Sequence, residues 1–195
     1  MSEILFLRHA ETDMAGTFCG HSDPEVNARG LEQIIELVDR FRGDNISTIY
    51  TSDLRRAHTT AEAIAKSCGI QCQIRPALRE IYFGEWEGLT WVEIEQKDKA
   101  YARRWLEEYP RLPAPGGETF QDFERRVLSE VELLSAKVQG QRMAVVTHAG
   151  VLRTVLCSLN GCREEDAWRQ SKPYCAIVRH AVVSPLPMLQ AEVQV

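Results

Sequence analysis

Histidine and arginine side chains stand just beyond the ends of three predicted strands. Arg8 and His9 follow the first strand, Arg56 lies shortly after the second, and His148 follows the most apolar one. In open α/β sheets, ligands collect at the carboxyl ends of the strands, where loops supply polar groups without interrupting strand pairing. We therefore expect these side chains to meet at one sheet edge. A local cluster of positive groups is what an anionic ligand requires.

A second copy of the first motif provides an internal comparison. Arg179, His180 and Ala181 repeat the order of Arg8, His9 and Ala10, but Val182 and Val183 follow them instead of a polar loop. We assign this second copy to an ordinary strand. His21 and His58 lack a comparable setting after a strand.

Short apolar, β-branched runs alternate with longer segments of helical period, which is typical of α/β layered folds. We expect a three-layer α/β/α sandwich with a mostly parallel central sheet. The predicted strands are residues 4–7, 46–51, 72–74, 143–146, 177–183 and 188–193.

Capping residues and apolar stripes predict the main helices between these strands. Asn27 caps a helix that ends before Gly43, Asp53 caps a second helix that ends at Gly69, and Thr119 with Asp122 begins a third. The stripe expected to face the core in the first helix is Leu31, Ile34, Ile35, Val38 and Phe41.

The segment 84–117 differs in composition from the rest of the chain, being rich in aromatic and charged residues and ending in prolines and glycines. We interpret it as a helical insertion over the active site, within one domain that spans residues 1–195. Its aromatics could form a lid, a substrate wall or a subunit contact. Trp91 and Trp105 are expected to be packing residues.

Composition limits the class of partner. Lys and Arg total 23 against 28 for Asp and Glu, a net charge of -5 that argues against a nucleic-acid partner. The six cysteines show no metal-site or disulfide spacing, and no apolar run approaches the ~20 residues of a membrane span. We expect free thiols, no membrane association and a cytoplasmic location. A homodimer could form if residues 188–193 lie at a sheet edge.

Four segments in order resemble motifs of the histidine phosphatase superfamily, the phosphoglycerate mutase-like family. The segment 117–120 fits the same pattern, so that the resemblance covers the chain from Arg8 to about Arg153. The four segments are residues 7–12, 52–57, 78–88 and 146–150.

The resemblance implies a role for each matching residue. His9 would be the phosphorylated nucleophile and Glu80 the proton donor. The phosphate-binding groups would be Arg8, Arg56 and His148, and His148 would also be a catalytic residue. Cys19, Gly20 and Ala149 are further candidates for substrate contact.

This assignment is chemically coherent. Arginine forks stabilise charge on the phosphoryl oxygens while a neutral imidazole attacks phosphorus. Two nearby guanidinium groups would disfavour the imidazolium form of His9. Glu80 precedes three apolar residues, a setting that would favour a carboxylic acid able to protonate a leaving alkoxide. The structural alternative for Glu80 is an ion pair with Arg79.

Other chemistries find less support. The sequence lacks the motifs of serine hydrolases, dinucleotide-binding folds, P-loops and zinc proteases. Two arginines would also oppose a cation beside the histidines. We therefore expect no cofactor and no metal.

The chain departs from the mutase pattern. Ala10 replaces the usual glycine, and residues 13–15 lack the expected asparagine. We favour a metal-independent phosphomonoester hydrolase that acts on a small phosphorylated substrate. Residues 18–23 and 27–30 resemble the alpha-ribazole phosphatase branch, which makes alpha-ribazole 5'-phosphate a candidate substrate. A phosphoglycerate mutase and a non-catalytic phosphate-binding module remain the alternatives.

Overall fold

A central sheet organises the protein, whose computed structural model describes residues 2–182. Within this range the sheet has five strands in the order β3-β2-β4-β1-β5. Strand β5 is antiparallel to β1, whereas the other neighbouring pairs are parallel. The strands are β1 (Ser2–Arg8), β2 (Ile46–Thr51), β3 (Cys72–Ile74), β4 (Arg142–Thr147) and β5 (Ile177–Val182).

Helices cover both faces of this sheet. They are α1 (Ala28–Phe41), α2 (Arg55–Cys68), α3 (Trp91–Lys97), α4 (Lys99–Glu108), α5 (Phe120–Ser135), α6 (Ala149–Thr154) and α7 (Glu164–Ser171). A π-helical turn, Val155–Leu159, continues α6, and single 3₁₀ turns cover Pro76–Leu78 and Gly84–Trp86.

Alternation of side chains along the strands divides the core into two layers. On β1, Leu5 and Leu7 face the layer that contains α1 and α2, whereas Ile4 and Phe6 face the layer that contains α5 and α6. All four side chains are buried. The predicted three-layer α/β/α fold with a mostly parallel sheet is confirmed.

Strand register aligns the carboxyl ends of the central strands. Arg8 pairs with Thr147, and Thr51 pairs with Val146. The segments that follow β1, β2 and β4 therefore leave the sheet at the same edge.

Most helix ends lie where their caps predicted them. The side chain of Asn27 accepts a hydrogen bond from the Gly30 amide at 2.8 Å, and that of Thr119 accepts one from the Asp122 amide at 3.1 Å. Gly69 ends α2 with φ of 68°, a left-handed conformation that glycine adopts at little cost.

Two local predictions were wrong. Leu54, without a side-chain cap, precedes α2, because the carboxylate of Asp53 instead accepts two hydrogen bonds from Arg79 at 2.5 and 2.8 Å. Leu31 and Ile35 are exposed, since the buried face of α1 follows Gly30, Ile34, Leu37 and Phe41. At 3.6 residues per turn this face lies about a quarter turn away from Leu31 and Ile35.

The close approach of α1 to the preceding loop explains its orientation. A Cβ atom at Gly30 would lie 2.3 Å from the Glu11 carbonyl oxygen, so only glycine allows this contact. The approach turns the Gly30 side of the helix inward.

The segment 84–117 contains α3 and α4, and it has its own small core. Trp86, Ile94, Ala102 and Ala114 are buried there, with further aromatics packed around them. Trp91 and Trp105 pack against each other at 6.2 Å between ring centroids, and both contact Phe18. As predicted, both rings take part in the packing of this segment.

No helix among residues 2–182 is long and apolar enough to cross a membrane. His180 lies on β5 and its Nδ1 contacts Asn160 Oδ1 at 2.8 Å, which confirms that the second Arg-His copy belongs to a strand. The predicted strand 188–193, and the dimer contact suggested for it, lie outside the described residues.

Candidate active site

His9 stands at the end of β1 with its tautomer set by two neighbours. Its Nδ1 lies 2.7 Å from the Ala10 carbonyl oxygen, which can only accept, so Nδ1 carries the proton. Its Nε2 accepts a hydrogen bond from Arg56 Nε at 3.2 Å. The lone pair of Nε2 therefore faces the arginine side of the site.

Arg56 is fully buried in the first turn of α2, and its guanidinium is held by backbone carbonyls. Nη1 donates to Ser22 at 2.6 Å, and Nη2 donates to Gly20 at 2.7 Å and Cys19 at 3.3 Å. Among residues 2–182 no carboxylate forms an ion pair with it. A buried cation without a countercharge suits an anionic ligand.

The predicted substrate contacts Cys19 and Gly20 thus lie beside the site and hold Arg56 through their carbonyl groups. Gly20 cannot carry a side chain, because a Cβ atom there would lie 2.2 Å from the Ile81 carbonyl oxygen. Cys19 Sγ lies 3.8 Å from the Ser22 carbonyl oxygen.

Glu87 fixes this loop, a role that the sequence did not reveal. Its carboxylate accepts hydrogen bonds from the amides of Gly20, His21, Ser22 and Phe83, and from the Ser22 hydroxyl at 2.6 Å. Burial alone would raise the pKa of Glu87, but these donors hold it below its ordinary value. The carboxylate is therefore a stable anchor for the 19–22 loop.

Arg8 reaches the site from the other side. Its guanidinium donates to the Lys172 carbonyl oxygen and lies 4.0 Å from the ring centroid of Tyr174. Its Nε is buried and lacks a partner in the described part of the chain. Tyr174, which the sequence also did not reveal, lies 5.8 Å from the His9 ring, between centroids.

His148 completes the cluster from the end of β4. Its ring is fully buried, with its centroid 5.1 Å from that of His9. Neither ring nitrogen has a hydrogen-bond partner within residues 2–182. Buried polar atoms are normally paired, so these nitrogens are available to a ligand. Ala149, partly exposed, follows His148 as the first residue of α6.

Glu80 follows the 3₁₀ turn Pro76–Leu78, and its carboxylate contacts the first turn of α6. Oε1 accepts from the Ile81 amide and Oε2 from the Gly150 amide, both at 2.9 Å. A Cβ atom at Gly150 would lie 2.1 Å from Oε1, so this glycine is required for the contact. The expected alternative, an ion pair with Arg79, does not form because Arg79 pairs with Asp53.

Arg126 supports the Glu80 segment from α5. It donates to the Glu80 carbonyl oxygen at 2.8 Å and forms an ion pair with Glu118 at 2.7 Å. His21 Nε2 donates to the same carbonyl at 3.1 Å. The sequence pattern did not identify Arg126, since the Glu80 carbonyl that it supports lies 46 positions away along the chain.

The electrostatics keep both central imidazoles neutral. Burial, then Arg56 and Arg8, lower the pKa of His9 well below its ordinary value. Burial, followed by Arg56 and His9, does the same for His148. The two arginines act on the pKa of His9 in the predicted direction, and burial has the larger effect. A neutral nucleophilic nitrogen beside two guanidinium groups can attack a phosphoryl group.

Comparison with known proteins agrees with this geometry. The model of the histidine phosphatase superfamily (branch 1) matches residues 4–183. The chain belongs to the histidine phosphatase superfamily. Within the described residues, no group of three or more His, Cys, Asp and Glu side chains could hold a metal ion.

Phosphatases of several organisms show similarity over most of the chain. The adenosylcobalamin/alpha-ribazole phosphatase of Escherichia coli (strain K12) is 32% identical over 85% of this chain and 82% of its own. The metal-independent phosphoserine phosphatase of Arabidopsis thaliana is 34% identical over 80% of this chain and 67% of its own. The crystal structure of the alpha-ribazole phosphatase from Shigella flexneri has a TM-score of 0.77, with 29% identity over 86% and 84% of the two chains.

Proposed function

We propose that the protein is a metal-independent phosphomonoester hydrolase that acts through a phosphohistidine at His9. One observation carries this proposal: the Nε2 lone pair of His9 faces Arg56, a buried cation that forms no ion pair within residues 2–182. The half-buried guanidinium of Arg8 and the unpaired ring of His148 lie nearby.

In the first step, His9 Nε2 forms a bond to phosphorus as the bond between phosphorus and the alcohol oxygen breaks. Arg8, Arg56 and His148 bind the phosphoryl oxygens, and the Arg56 Nε–H turns from His9 to one of them. Glu80, as the carboxylic acid, gives its proton to the leaving alkoxide.

In the second step, water attacks the phosphohistidine and the phosphorus–nitrogen bond breaks, leaving His9 neutral. The Glu80 carboxylate accepts the proton released by the water. Inorganic phosphate then leaves, and both groups have returned to their starting protonation states.

For the substrate, we propose alpha-ribazole 5'-phosphate as the first candidate. The similarity to alpha-ribazole phosphatases of two organisms supports it, as does the motif at residues 18–23. Phosphoserine is the second candidate, because the Arabidopsis thaliana phosphoserine phosphatase is as similar in sequence.

A substitution pair tests the proposed activity. With p-nitrophenyl phosphate and chelator present, His9→Ala should abolish phosphate release, whereas His180→Ala should retain near wild-type rates, because His180 lies on β5 away from the site. Equal rates for His9→Ala and the wild type would contradict the proposal. Loss of all activity in chelator would indicate a metal-dependent reaction instead.

The alternatives give different products. A phosphoglycerate mutase would convert phosphoglycerate into its isomer without releasing phosphate. A non-catalytic binding module would bind phosphate esters and leave them intact. Incubation with phosphoglycerate and with a panel of phosphomonoesters, followed by assay of free phosphate and isomer, separates the three.

A further inference from the structure

A large apolar cavity lies beside the segment that carries Glu80, between the 84–117 segment, the start of α5 and helix α7. Its volume is about 670 Å³, within the range of small-molecule pockets. Aromatic rings form about half of its wall. They include those of Trp91, Trp105, Tyr109, Phe120, Phe123 and Trp168.

The cavity adjoins Glu80, the group that would protonate the leaving alcohol. Ile81 and Tyr82, the two residues after Glu80, line it. Phe123 also lines it and lies 3.2 Å from the Cβ position of Gly150, whose amide binds the Glu80 carboxylate. A leaving group that departs past Glu80 would therefore enter this cavity.

Three of the four charged groups on the wall have ion-pair partners. Arg153 lies 3.6 Å from Glu164, and Glu118 forms its ion pair with Arg126. Glu165, also on the wall, would repel a carboxylate. The carboxylate of a small zwitterion such as serine therefore finds no unpaired cation among the residues that line the cavity.

Two features favour an aromatic occupant. The Arg153 guanidinium lies 4.9 Å from the Trp168 ring centroid, so a flat cationic and aromatic surface is already formed. The Tyr109 hydroxyl is buried and has no hydrogen-bond partner in the described structure. It could bind a heteroatom of a ring system.

We propose that this cavity binds the organic part of the substrate and selects phosphomonoesters whose alcohol carries an aromatic ring system. The inference rests on the proposed function, because it assigns the cavity to the alcohol that Glu80 protonates. Of the two candidate substrates, it favours alpha-ribazole 5'-phosphate over phosphoserine.

Two esters with matched leaving groups test this selection. Ethyl phosphate and 2-(1-naphthyl)ethyl phosphate both release a primary alcohol, so the chemical step makes similar demands on Glu80. Burial of an aromatic ring should raise kcat/KM for the naphthyl ester by roughly 10- to 100-fold.

A substitution on the cavity wall adds a structural control. Leu106 is 59% exposed on α4 and lines the cavity, whereas Leu133 is 55% exposed on α5 and does not. Leu106→Glu should lower the naphthyl-to-ethyl ratio of kcat/KM at least several-fold. Leu133→Glu, an equally exposed change, should leave that ratio unchanged.

Binding of the corresponding alkyl phosphonates, measured by calorimetry, separates this inference from the proposed function. If neither ester releases phosphate, the proposed function fails. The cavity assignment would still be supported if naphthylethyl phosphonate binds more tightly than ethyl phosphonate and Leu106→Glu weakens that binding. Equal affinity for the two phosphonates, with no effect of Leu106→Glu, would overturn it.

Discussion

Neighbouring groups hold both ring nitrogens of His9, the proposed nucleophile. The Ala10 carbonyl keeps the proton on Nδ1, and Arg56 faces the lone pair on Nε2. Burial and the two arginines oppose protonation of the ring. Position and charge state are thus set before substrate binds.

The lowered pKa values of His9 and His148 predict a specific titration behaviour. Both rings should remain neutral as the pH falls through 6.5, the ordinary value, because protonation would place a buried charge beside Arg56. NMR of the imidazole nitrogens should show midpoints well below pH 6.5. An imidazolium signal from His9 at pH 6.5 or above would contradict this account.

The same shift affects stability. Below pH 6.5 the unfolded histidines take up protons that the native rings exclude, so the unfolded state binds more protons. The free energy of unfolding contributed by these two residues is therefore present above pH 6.5 and is lost as the pH falls below it.

Glu80→Gln should separate substrates by leaving group. An alkoxide needs a proton as it departs, and general acid catalysis typically contributes about 10²- to 10⁴-fold. We expect kcat/KM for ethyl phosphate, which reports phosphoryl transfer to His9 before water attacks, to fall by a factor in this range. The p-nitrophenolate group needs little protonation, so kcat/KM for p-nitrophenyl phosphate should change much less. Equal losses with both substrates would argue against a proton-donating role.

At the scale of elements, the 19–22 loop connects Glu87 to His9 through Arg56. Glu87 binds the loop amides, the loop carbonyls bind Arg56, and Arg56 contacts His9. Glu87 touches none of the reacting groups. We infer that it acts as a positioning residue.

Glu87→Gln should therefore weaken phosphate binding. The amide group of glutamine would face N–H donors and disturb the loop, so we expect KM for p-nitrophenyl phosphate to rise about 10-fold with a smaller change in kcat. Glu85→Gln is the matched control, because Glu85 is exposed and pairs only with Lys97 at 3.1 Å among the described residues. A loss of stability in Glu87→Gln with unchanged KM would indicate a purely structural role.

Local sequence signals were sufficient for the elements that carry the motif residues. Apolar runs located β1, β2 and β4, and the turn from each strand into polar residues placed Arg8, His9, Arg56 and His148 at one edge. These signals work because strand burial and capping depend on neighbours along the chain.

Long-range contacts explain what the sequence did not show. Asp53 has the residue type of a cap, but Arg79 binds its carboxylate from 26 positions away. Glu87, Arg126 and Tyr174 likewise act through partners on other elements. Such pairings depend on the folded arrangement, so a single sequence carries no local sign of them.

At the scale of the whole molecule, a net charge of -5 coexists with a cationic site. Arg8 and Arg56 gather at one sheet edge while the acidic side chains outnumber the basic ones over the whole chain. A small dianion can enter a pocket that focuses positive potential, whereas an extended polyanion would meet repulsion. This arrangement suits a small phosphorylated metabolite.

The phosphorylated intermediate provides the most direct test of the central claim. We expect rapid acid-free quenching during turnover of p-nitrophenyl phosphate, followed by peptide mass spectrometry, to find one phosphoryl group on His9. Glu80→Gln should still form this adduct, because p-nitrophenolate leaves without a proton. A phosphoryl group on another residue, or turnover without any phosphoenzyme, would contradict the account.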